Sequence, residues 1–156
     1  MTLLDHPIAV PTDGRQSPTA LMVARGTQRL LVALGHSCVC ELPLASGRRA
    51  DLVALRHDGE IWIIEIKSSI EDFRVDQKWP EYRLHCDRLY FAIPPHVDAG
   101  IIPIEAGLII ADGWGAELRR EPADQPLHAS RRKAMILSFA RTAALRLHGL
   151  YDPEAV

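Results

Sequence analysis

The sequence is short of several features by which common classes of protein are recognised. No apolar run approaches the ~18 residues of a membrane-spanning helix, and the first twenty residues hold no apolar segment of the signal-peptide kind. The three cysteines, Cys38, Cys40 and Cys86, are an odd number without zinc-like spacing. Free thiols without a disulfide framework favour the reducing cytosol. We therefore expect a cytoplasmic protein with no membrane partner.

An excess of charge is also missing. The chain carries a formal net charge of -2, whereas a nucleic-acid-binding domain is more often clearly basic, so a phosphate-binding surface would have to be a local patch. The chain lacks a glycine-rich phosphate loop and a nucleophile motif. These absences argue against a nucleotide cofactor and against a small-molecule enzyme on an α/β scaffold.

What the chain does contain is enough apolar sequence for a core. Its 156 residues are 47% hydrophobic and 24% charged, which fits one globular domain and excludes intrinsic disorder. We predict a single domain over residues 1–156, in which residues 1–16, with their prolines and Gly14, form an irregular lead-in.

Hydrophobic periodicity and turn residues predict an α/β fold, a mixed central sheet flanked by helices on both faces. The predicted strands are 38–44, 50–55, 60–67, 88–93, 107–111 and 116–119; the predicted helices are 17–34, 70–83 with Pro80 interrupting it, and one from His128 or Ser130 to His148. A helix joins the third and fourth strands, so these two are expected to be parallel. The inward stripe predicted for the last helix is Ala134, Leu137, Ala140, Ala144 and Leu147.

Three charged residues stand in apolar strands of this predicted sheet. Glu65 and Lys67 share a strand face because side chains alternate along a strand. Whether Asp51 shares that face depends on the turn between the second and third strands. A two-residue turn sets Asp51 opposite Ile66, whereas a three-residue loop, 57–59, sets it opposite Glu65.

Gly59 decides between these two registers. The three-residue loop is a type I turn followed by a residue in the left-handed conformation, which glycine adopts without steric cost. We therefore predict that Asp51 lies directly opposite Glu65.

Two carboxylates at this distance repel each other unless a cation lies between them. Mg²⁺, or Mn²⁺ in its place, takes one or two carboxylates, keeps several waters and leaves room for a phosphate. We expect Asp51, Glu65 and the backbone carbonyl of Ile66 as ligands, and Lys67 as the group that orients the attacking water. The alternative is an ion pair between Glu65 and Lys67 at the end of a sheet.

Asp51, followed after thirteen residues by Glu65-Ile66-Lys67, resembles the signature of the PD-(D/E)xK nucleases. The helix–strand–strand–strand–helix–strand order is similar as well, and the whole chain resembles the MmcB family of bacterial DNA repair proteins. The resemblance implies a restriction-endonuclease-like fold, dependence on Mg²⁺ and DNA as the substrate. Many nucleases of this type pair to cut two strands, so a homodimer is an open expectation.

The resemblance also points to additional site residues. Many relatives carry an acid on the first helix as a further metal ligand, but this chain has none between residues 17 and 35, and Glu41 on the first strand is a candidate substitute. A Gln and a Tyr four residues apart in relatives correspond in spacing to Lys78 and Tyr82. Ser68 could donate to a phosphate, or cap the next helix.

A basic segment offers a surface for the DNA backbone. Residues 119–146 are rich in arginine, and the candidate DNA-binding residues are Arg131, Arg132, Lys133 and Arg141. Three cations in the first turn of a helix oppose its dipole, which favours a ligand that rewards them. A solvated helix face is the equally weighted alternative.

The leading interpretation is a Mg²⁺-dependent DNA endonuclease or related phosphodiesterase acting in bacterial DNA repair. Asp51, Glu65 and Lys67 are its predicted catalytic residues. The alternative is a non-catalytic DNA- or protein-binding module that retains the nuclease fold, and the missing acid on the first helix is the feature in its favour.

Overall fold

The computed structural model describes residues 16–76 and 78–155, so the predicted lead-in lies, apart from Gln16, outside the described residues. The strands are β1 (Ser37–Pro43), β2 (Arg49–Leu55), β3 (Ile61–Ile66), β4 (Arg88–Ile93), β5 (Gly107–Ala111) and β6 (Ala116–Arg120). The helices are α1 (Pro18–Ala33), α2 (Ile70–Val75) and α3 (Ala129–Tyr151), with short 3-10 helices at Trp79–His85, Ala99–Ile101 and Pro153–Ala155. In these ranges no helix combines the length and apolarity needed to cross a membrane.

The six strands form one mixed sheet in the order β1-β2-β3-β4-β5-β6. β3, β4 and β5 are parallel, and the remaining neighbours are antiparallel. The parallel pairing of β3 with β4 confirms the prediction, and α2 lies in the connection between them. Because parallel strands end at the same edge of a sheet, the residues after β3, β4 and β5 share one edge.

The turn between β2 and β3 has the predicted form. The N–H of Arg56 donates to the carbonyl of Glu60, the N–H of Gly59 donates to the carbonyl of Arg56, and Gly59 has a φ of +91°. The pairs that follow include Leu52 with Ile64, so continuing the ladder by one residue sets Asp51 opposite Glu65.

α1 begins and ends as its sequence predicts. The side chain of Ser17 accepts the N–H of Ala20, and Pro18 opens the first turn. At the other end, Gly35 with a φ of +89° and the N–H of His36 close a Schellman motif on the last turn. α1 ends at Ala33, one residue before the predicted end, and Leu34 is 52% exposed.

The predicted helix over 70–83 is two pieces. α2 ends at Val75 because Asp76 adopts an extended backbone, and a 3-10 helix then runs over Trp79–His85 with Pro80 in its first turn. The interruption therefore begins at Asp76, four residues before Pro80, and the proline itself lies in the first turn of the 3-10 helix.

The inward stripe predicted for α3 is wrong. α3 packs on the sheet through Met135 and Phe139, with Ile136 beside them, whereas Leu137 is 52% exposed. The rest of the predicted stripe, Ala134, Ala140, Ala144 and Leu147, is not part of the buried core either. Two apolar stripes run along this helix, and the one with the larger side chains covers more of the sheet.

Candidate active site

Asp51 and Glu65 lie side by side where β2 and β3 meet at one edge of the sheet. The backbone N–H of Asp51 donates to Glu65 Oε1 at 3.1 Å, and the backbone N–H of Ile66 donates to Asp51 Oδ2 at 2.8 Å. The two carboxyl groups also share a hydrogen bond. Glu65 is 3% exposed, and Asp51 is half-buried. Both acids therefore face the same way, as the predicted register requires.

Burial dominates the electrostatics of this pair of acids, and the nearby charge of Lys67 opposes its effect. Burial raises the pKa of Glu65 well above its usual range, and the neighbouring charge of Asp51 raises it further. Burial also raises the pKa of Asp51, although the hydrogen bond from Ile66 opposes this shift. The pair therefore releases its protons at a higher pH than two free carboxyl groups would.

Lys67 is buried, with 8% of its surface exposed, and its ammonium group has a partner that the sequence did not suggest. Lys67 Nζ lies 2.6 Å from Asp76 Oδ2, and the backbone N–H of Lys78 donates to Asp76 Oδ1. The extended backbone that ends α2 at Asp76 therefore holds the ammonium group of Lys67 near the carboxylate pair. The alternative ion pair between Glu65 and Lys67 is not the one that forms.

An open cleft of about 200 Å³ gives access to Asp51, whereas Glu65 lies buried behind it. Its walls combine one carboxylate of the pair with hydroxyl and amide groups: they are Gln16, Ser17, Ala20, Asp51, Ile66, Ser68 and Asp72. Among the described residues no three His, Cys, Asp or Glu side chains converge as a preformed metal cage. Mg²⁺ needs only one or two carboxylates because it keeps most of its waters, so the pair and the cleft fit this ion.

Glu41 lies beside the pair, one strand further. It faces Asp51 in the register of β1 and β2, where Cys40 pairs with Leu52 and Leu42 with Ala50. Its φ of +51° is unusual for a residue other than glycine. Backbone strain of this kind clusters at functional sites.

Gln16 and Arg49 contact the carboxylate of Glu41. Glu41 Oε1 accepts from Gln16 Nε2 at 2.7 Å, and Glu41 Oε2 lies 2.7 Å from Arg49 Nε. Arg146 of α3 donates to the backbone carbonyls of Cys40 and Glu41 and so fixes the strained segment. Gln16 also lines the cleft, so Glu41 is connected to the cleft wall.

The structure separates Lys78 from Tyr82. Lys78 is exposed, whereas Tyr82 is buried and donates its hydroxyl to the carbonyl of Arg49 at 3.4 Å. Burial raises the pKa of Tyr82, and the charges of Glu65 and Asp51 add to the shift. Tyr82 therefore lies close to the two acids on the same side of the sheet.

Ser68 lies on the cleft wall, near the start of α1. Its hydroxyl donates to Asp72 and accepts from Ser17 at 3.3 Å, and the neighbouring Ser69 accepts the N–H of Asp72. Ser69 is therefore the cap of α2, and the Ser68 hydroxyl borders the cleft.

The basic first turn of α3 lies at the opposite end of the sheet from the acids. Arg132 forms two hydrogen bonds of 2.7 Å to buried Asp87 and a third to the carbonyl of Gly59, in the turn before β3. Arg131 contacts His85 at 3.3 Å. Lys133 and Arg141 are exposed. Arg146, fourteen residues after Arg132, reaches the acid end, so these two arginines are about 20 Å apart along α3.

Sequence reasoning missed Gln16, Ser17 and Asp76 as parts of this site. Asp76 follows Lys67 by nine residues, and only the end of α2 turns it back towards the ammonium group. Gln16 and Ser17 come from a segment interpreted as lead-in and helix cap. No residue spacing marks such contacts, because each depends on how a helix lies on the sheet.

These features define a class of protein. One helix, three antiparallel strands, a helical crossover and a parallel fourth strand carry an acid on β2 and Glu-Ile-Lys at the end of β3. This is the restriction-endonuclease-like fold, and it brings Asp51, Glu65 and Lys67 to one edge of the sheet.

Within that class, the chain belongs to the MmcB-like family of DNA repair proteins, whose model, described as "DNA repair protein MmcB-like", matches residues 8–154. This confirms the resemblance noted in the sequence. No curated protein matches the chain.

Solved structures include one close likeness. The SPO1766 protein of unknown function from Silicibacter pomeroyi is 42% identical over 90% of this chain and 97% of its own, with a TM-score of 0.86. A repair endonuclease from Pyrococcus abyssi and an EndoMS complex with double-stranded DNA are each 15% identical, with TM-scores of 0.35 and 0.30. Each of these two matches covers 58% of this chain and 43% of the other.

Proposed function

We propose that this protein is a Mg²⁺-dependent DNA endonuclease or related phosphodiesterase of bacterial DNA repair. The observation that carries the proposal is the buried pair Asp51–Glu65 beside Lys67, because two acids held together in this way are stabilised by a divalent cation between them. Membership of a DNA repair family supports DNA as the substrate.

Each side chain has a role that follows from its surroundings. Asp51 and Glu65 would hold Mg²⁺ or Mn²⁺, with the backbone carbonyl of Ile66 as a further ligand. When bound, the ion would neutralise charge on the scissile phosphate and favour attack by water. Lys67, held by Asp76, would orient that water or stabilise charge on the phosphate oxygens. Ser68 on the cleft wall would donate its hydroxyl proton to the phosphate in place of Asp72.

A cleavage assay on branched, gapped and mismatched DNA, with and without Mg²⁺ or Mn²⁺, tests the proposal. We expect cleavage that requires the ion, and we expect Lys67→Ala to lower its rate about 10²–10³-fold, the usual cost of removing a charge-stabilising donor. Arg56→Ala is the control, since this partly exposed arginine lies in the β2–β3 turn at the far end of the sheet, where it pairs with Asp58 and Glu60 at the surface.

The outcome that contradicts the proposal is equally specific. Metal-dependent cutting that survives in both Lys67→Ala and the nearly isosteric Glu65→Gln would come from a contaminant or from another site. Circular dichroism and thermal melting of each variant separate a loss of chemistry from a loss of folding.

A non-catalytic module that binds DNA or a protein is the second candidate. The feature in its favour is the lack of an acid in the first turn of α1 that could serve as a further metal ligand. Gln16, just before this helix, carries an uncharged amide that donates to Glu41. DNA binding that persists in Lys67→Ala, without any cutting by the wild type, supports this candidate.

The remaining expectations belong to the same proposal. The chain would act as one domain. We place it in the cytosol, since Cys38, Cys40 and Cys86 are free thiols.

The cations of α3 that are exposed and available to a DNA backbone are Lys133 and Arg141, with Arg131 beside them. Arg132 would contribute to DNA binding less than its neighbours, because its guanidinium already binds Asp87.

A homodimer is the final part of the proposal. The second apolar stripe of α3, consisting of Leu137, Ala140, Ala144, Leu147 and Tyr151, repeats at three- and four-residue spacing, as in a helix that packs on another helix. Its large members, Leu137, Leu147 and Tyr151, are 48–54% exposed, so the described part of the chain does not bury them. A second copy of α3, packed antiparallel, would cover this stripe.

A further inference from the structure

Trp114 is exposed at the tip of the β5–β6 hairpin. It is 77% exposed, whereas Trp62 is 5% exposed and Trp79 packs edge-on against Phe91. The turn that carries it is well ordered by hydrogen bonds, since Asp112 Oδ1 accepts the N–H groups of both Trp114 and Gly115 at 2.7 and 2.9 Å. A large aromatic ring held rigidly in solvent contributes little to folding and is typical of a binding surface.

Two arginines of α1 lie over the same ring. The guanidinium carbons of Arg25 and Arg29 are 5.6 and 5.7 Å from the ring centroid, and Arg29 Nη1 donates to the carbonyl of Trp114 at 3.1 Å. Both arginines are exposed. Within residues 16–76 and 78–155, neither has a carboxylate at ion-pair distance, so both positive charges are available to an anion.

Close packing fixes these three residues relative to one another. The backbone of Gly26 lies against the turn so tightly that a Cβ there would be 2.0 Å from the carbonyl oxygen of Asp112 and 2.5 Å from that of Gly115. Arg25 precedes this contact and Arg29 follows it by three residues. The aromatic ring and the two cations therefore form one rigid unit, which we call the Trp114 platform (Trp114, Arg25 and Arg29).

The Trp114 platform lies at the same edge of the sheet as the acids. It follows β5, which is parallel to β3 and two strands away, a lateral distance of about 10 Å. α1 connects the two places, because Ser17 lines the active-site cleft and Arg25 and Arg29 are eight and twelve residues further on, about 12 and 18 Å. A strand that leaves the cleft along α1 would meet the platform.

The ring of Trp114 also borders an open groove. The groove is lined by Pro95, Ile110 and Ala116, and its two acids are already engaged: Asp112 by the turn, and Glu117 by Arg119 at 3.1 Å. An apolar wall beside an aromatic ring fits a flat ligand, and the adjacent guanidinium groups fit a phosphate.

We propose that the Trp114 platform binds an unpaired nucleotide of the DNA substrate, with its base stacked on the indole and its phosphates held by Arg25 and Arg29. This inference rests on DNA as the ligand in the proposed function and adds a preference for single-stranded segments near the scissile bond. A docked protein segment is the other occupant that such a ring could accept.

Fluorescence anisotropy with EDTA present tests the inference without any cleavage. The probes are a labelled duplex with a single-stranded tail and a fully paired duplex of equal length. We expect Trp114→Ala to weaken binding of the tailed DNA about tenfold, since a stacked base is worth about 1–3 kcal/mol by alanine substitution, and to leave the paired duplex within about twofold. Trp114→Phe keeps a ring and should retain most of the affinity.

Two further measurements and a control variant complete the test. Arg25→Gln with Arg29→Gln should weaken both probes and lower the slope of log affinity against log salt by about one for each phosphate that the protein no longer neutralises. In the wild type, tailed DNA should quench tryptophan fluorescence, and Trp114→Phe should lack this quenching. Leu84→Ala, an apolar residue that is 63% exposed elsewhere, is the matched control.

The possible failures are distinguishable. The platform is overturned if Trp114→Ala weakens binding of both probes equally, or if it binds the tailed DNA as Leu84→Ala does. Cleavage by the wild type would leave the proposed nuclease intact in either case. A wild type that binds neither probe overturns both proposals. Tailed-DNA binding by the wild type with unquenched tryptophan fluorescence excludes stacking and leaves a protein segment as the occupant.

Discussion

Glu65 shows how much one buried residue determines in this protein. Its carboxyl group is 3% exposed, accepts a backbone N–H and faces a second acid. A purely structural carboxylate in that position would lower stability at neutral pH, since the ammonium group of Lys67 is bound to Asp76 instead. Binding of a divalent ion between the two acids would account for this arrangement, in which the metal-free protein is less stable than it could be.

The raised pKa of Glu65 predicts a pH dependence with a definite sign. The folded metal-free protein binds more protons than the unfolded chain between the ordinary and the raised pKa. The stabilisation is therefore complete below the ordinary pKa and is lost as pH rises through the raised one. Glu65→Gln should remove this dependence and make the metal-free protein more stable than the wild type at about pH 8. Urea denaturation in EDTA between about pH 5 and pH 8 measures both.

The same variant tests the metal. Mg²⁺ at one hundred times its dissociation constant should stabilise the wild type by about 2.7 kcal/mol and Glu65→Gln by much less. Glu71→Gln, an exposed glutamate in the first turn of α2, is the control and should behave as the wild type. If the free energy of unfolding of Glu65→Gln in EDTA falls with pH as steeply as that of the wild type, the buried pair does not titrate as described.

At the scale of elements, the placement of α1 is set by one close contact. α1 spans sixteen residues, and its start lines the cleft while its middle lies on the β5–β6 turn at Gly26. This approach brings Ser17 to Ser68 and the two arginines to Trp114. A helix that lay farther from the sheet would separate the cleft wall from the acids.

Gly26→Ala should therefore be destabilising even though alanine is the better helix former. The gain in helix propensity is about 1 kcal/mol, but the new Cβ would meet two backbone carbonyl oxygens, which cannot rotate away. We expect a net loss of about 2 kcal/mol or more in the free energy of unfolding. Thermal and urea denaturation measure it, and Gly115→Ala, where a Cβ meets nothing within 4 Å, is the control. An unchanged stability would mean that α1 does not sit this close to the turn.

Asp87 and Arg132 illustrate why a cation on a helix is not always a DNA contact. Burial alone would raise the pKa of Asp87, but hydrogen bonds from Arg132, Ile61 and Leu127 lower it. Arg132 thereby ties the start of α3 to the start of β3. The first turn of α3 carries its cations partly because one of them neutralises this buried acid.

At the scale of the whole molecule, α3 presents two apolar stripes, and the sheet buries only one of them. In an antiparallel pair of α3 helices centred on Ala144, the small side chains of Ala140 and Ala144 would let the helices approach closely, and the two Leu137 side chains would lie towards opposite ends of the interface. The basic first half of each α3 would then face the acidic end that contains Asp152 and Glu154.

Ala144→Arg should disrupt such a dimer, because it places two like charges at the symmetry axis while arginine keeps the helix propensity high. An interface made by one helix from each copy lies at the low end of the surface areas that protein interfaces bury. We therefore expect an equilibrium between monomer and dimer that depends on concentration in sedimentation velocity. Val32→Arg, which adds the same charge at a position of α1 that is 63% exposed, should leave the equilibrium unchanged. A wild type that stays monomeric at high concentration, or an Ala144→Arg variant that still dimerises, rules out this interface.

Local sequence patterns predict the strands, the turn at Gly59 and the register that sets Asp51 opposite Glu65, because alternation along a strand and the left-handed preference of glycine are local effects. The stripe of α3 that faces the sheet depends instead on tertiary packing, since two apolar stripes satisfy the same periodicity and the larger side chains cover more of the sheet. Tertiary packing also brings Asp76 to Lys67 and Trp114 to two arginines. Contacts between residues far apart in the chain depend on where helices and strands pack against each other, and no local pattern in the sequence predicts them.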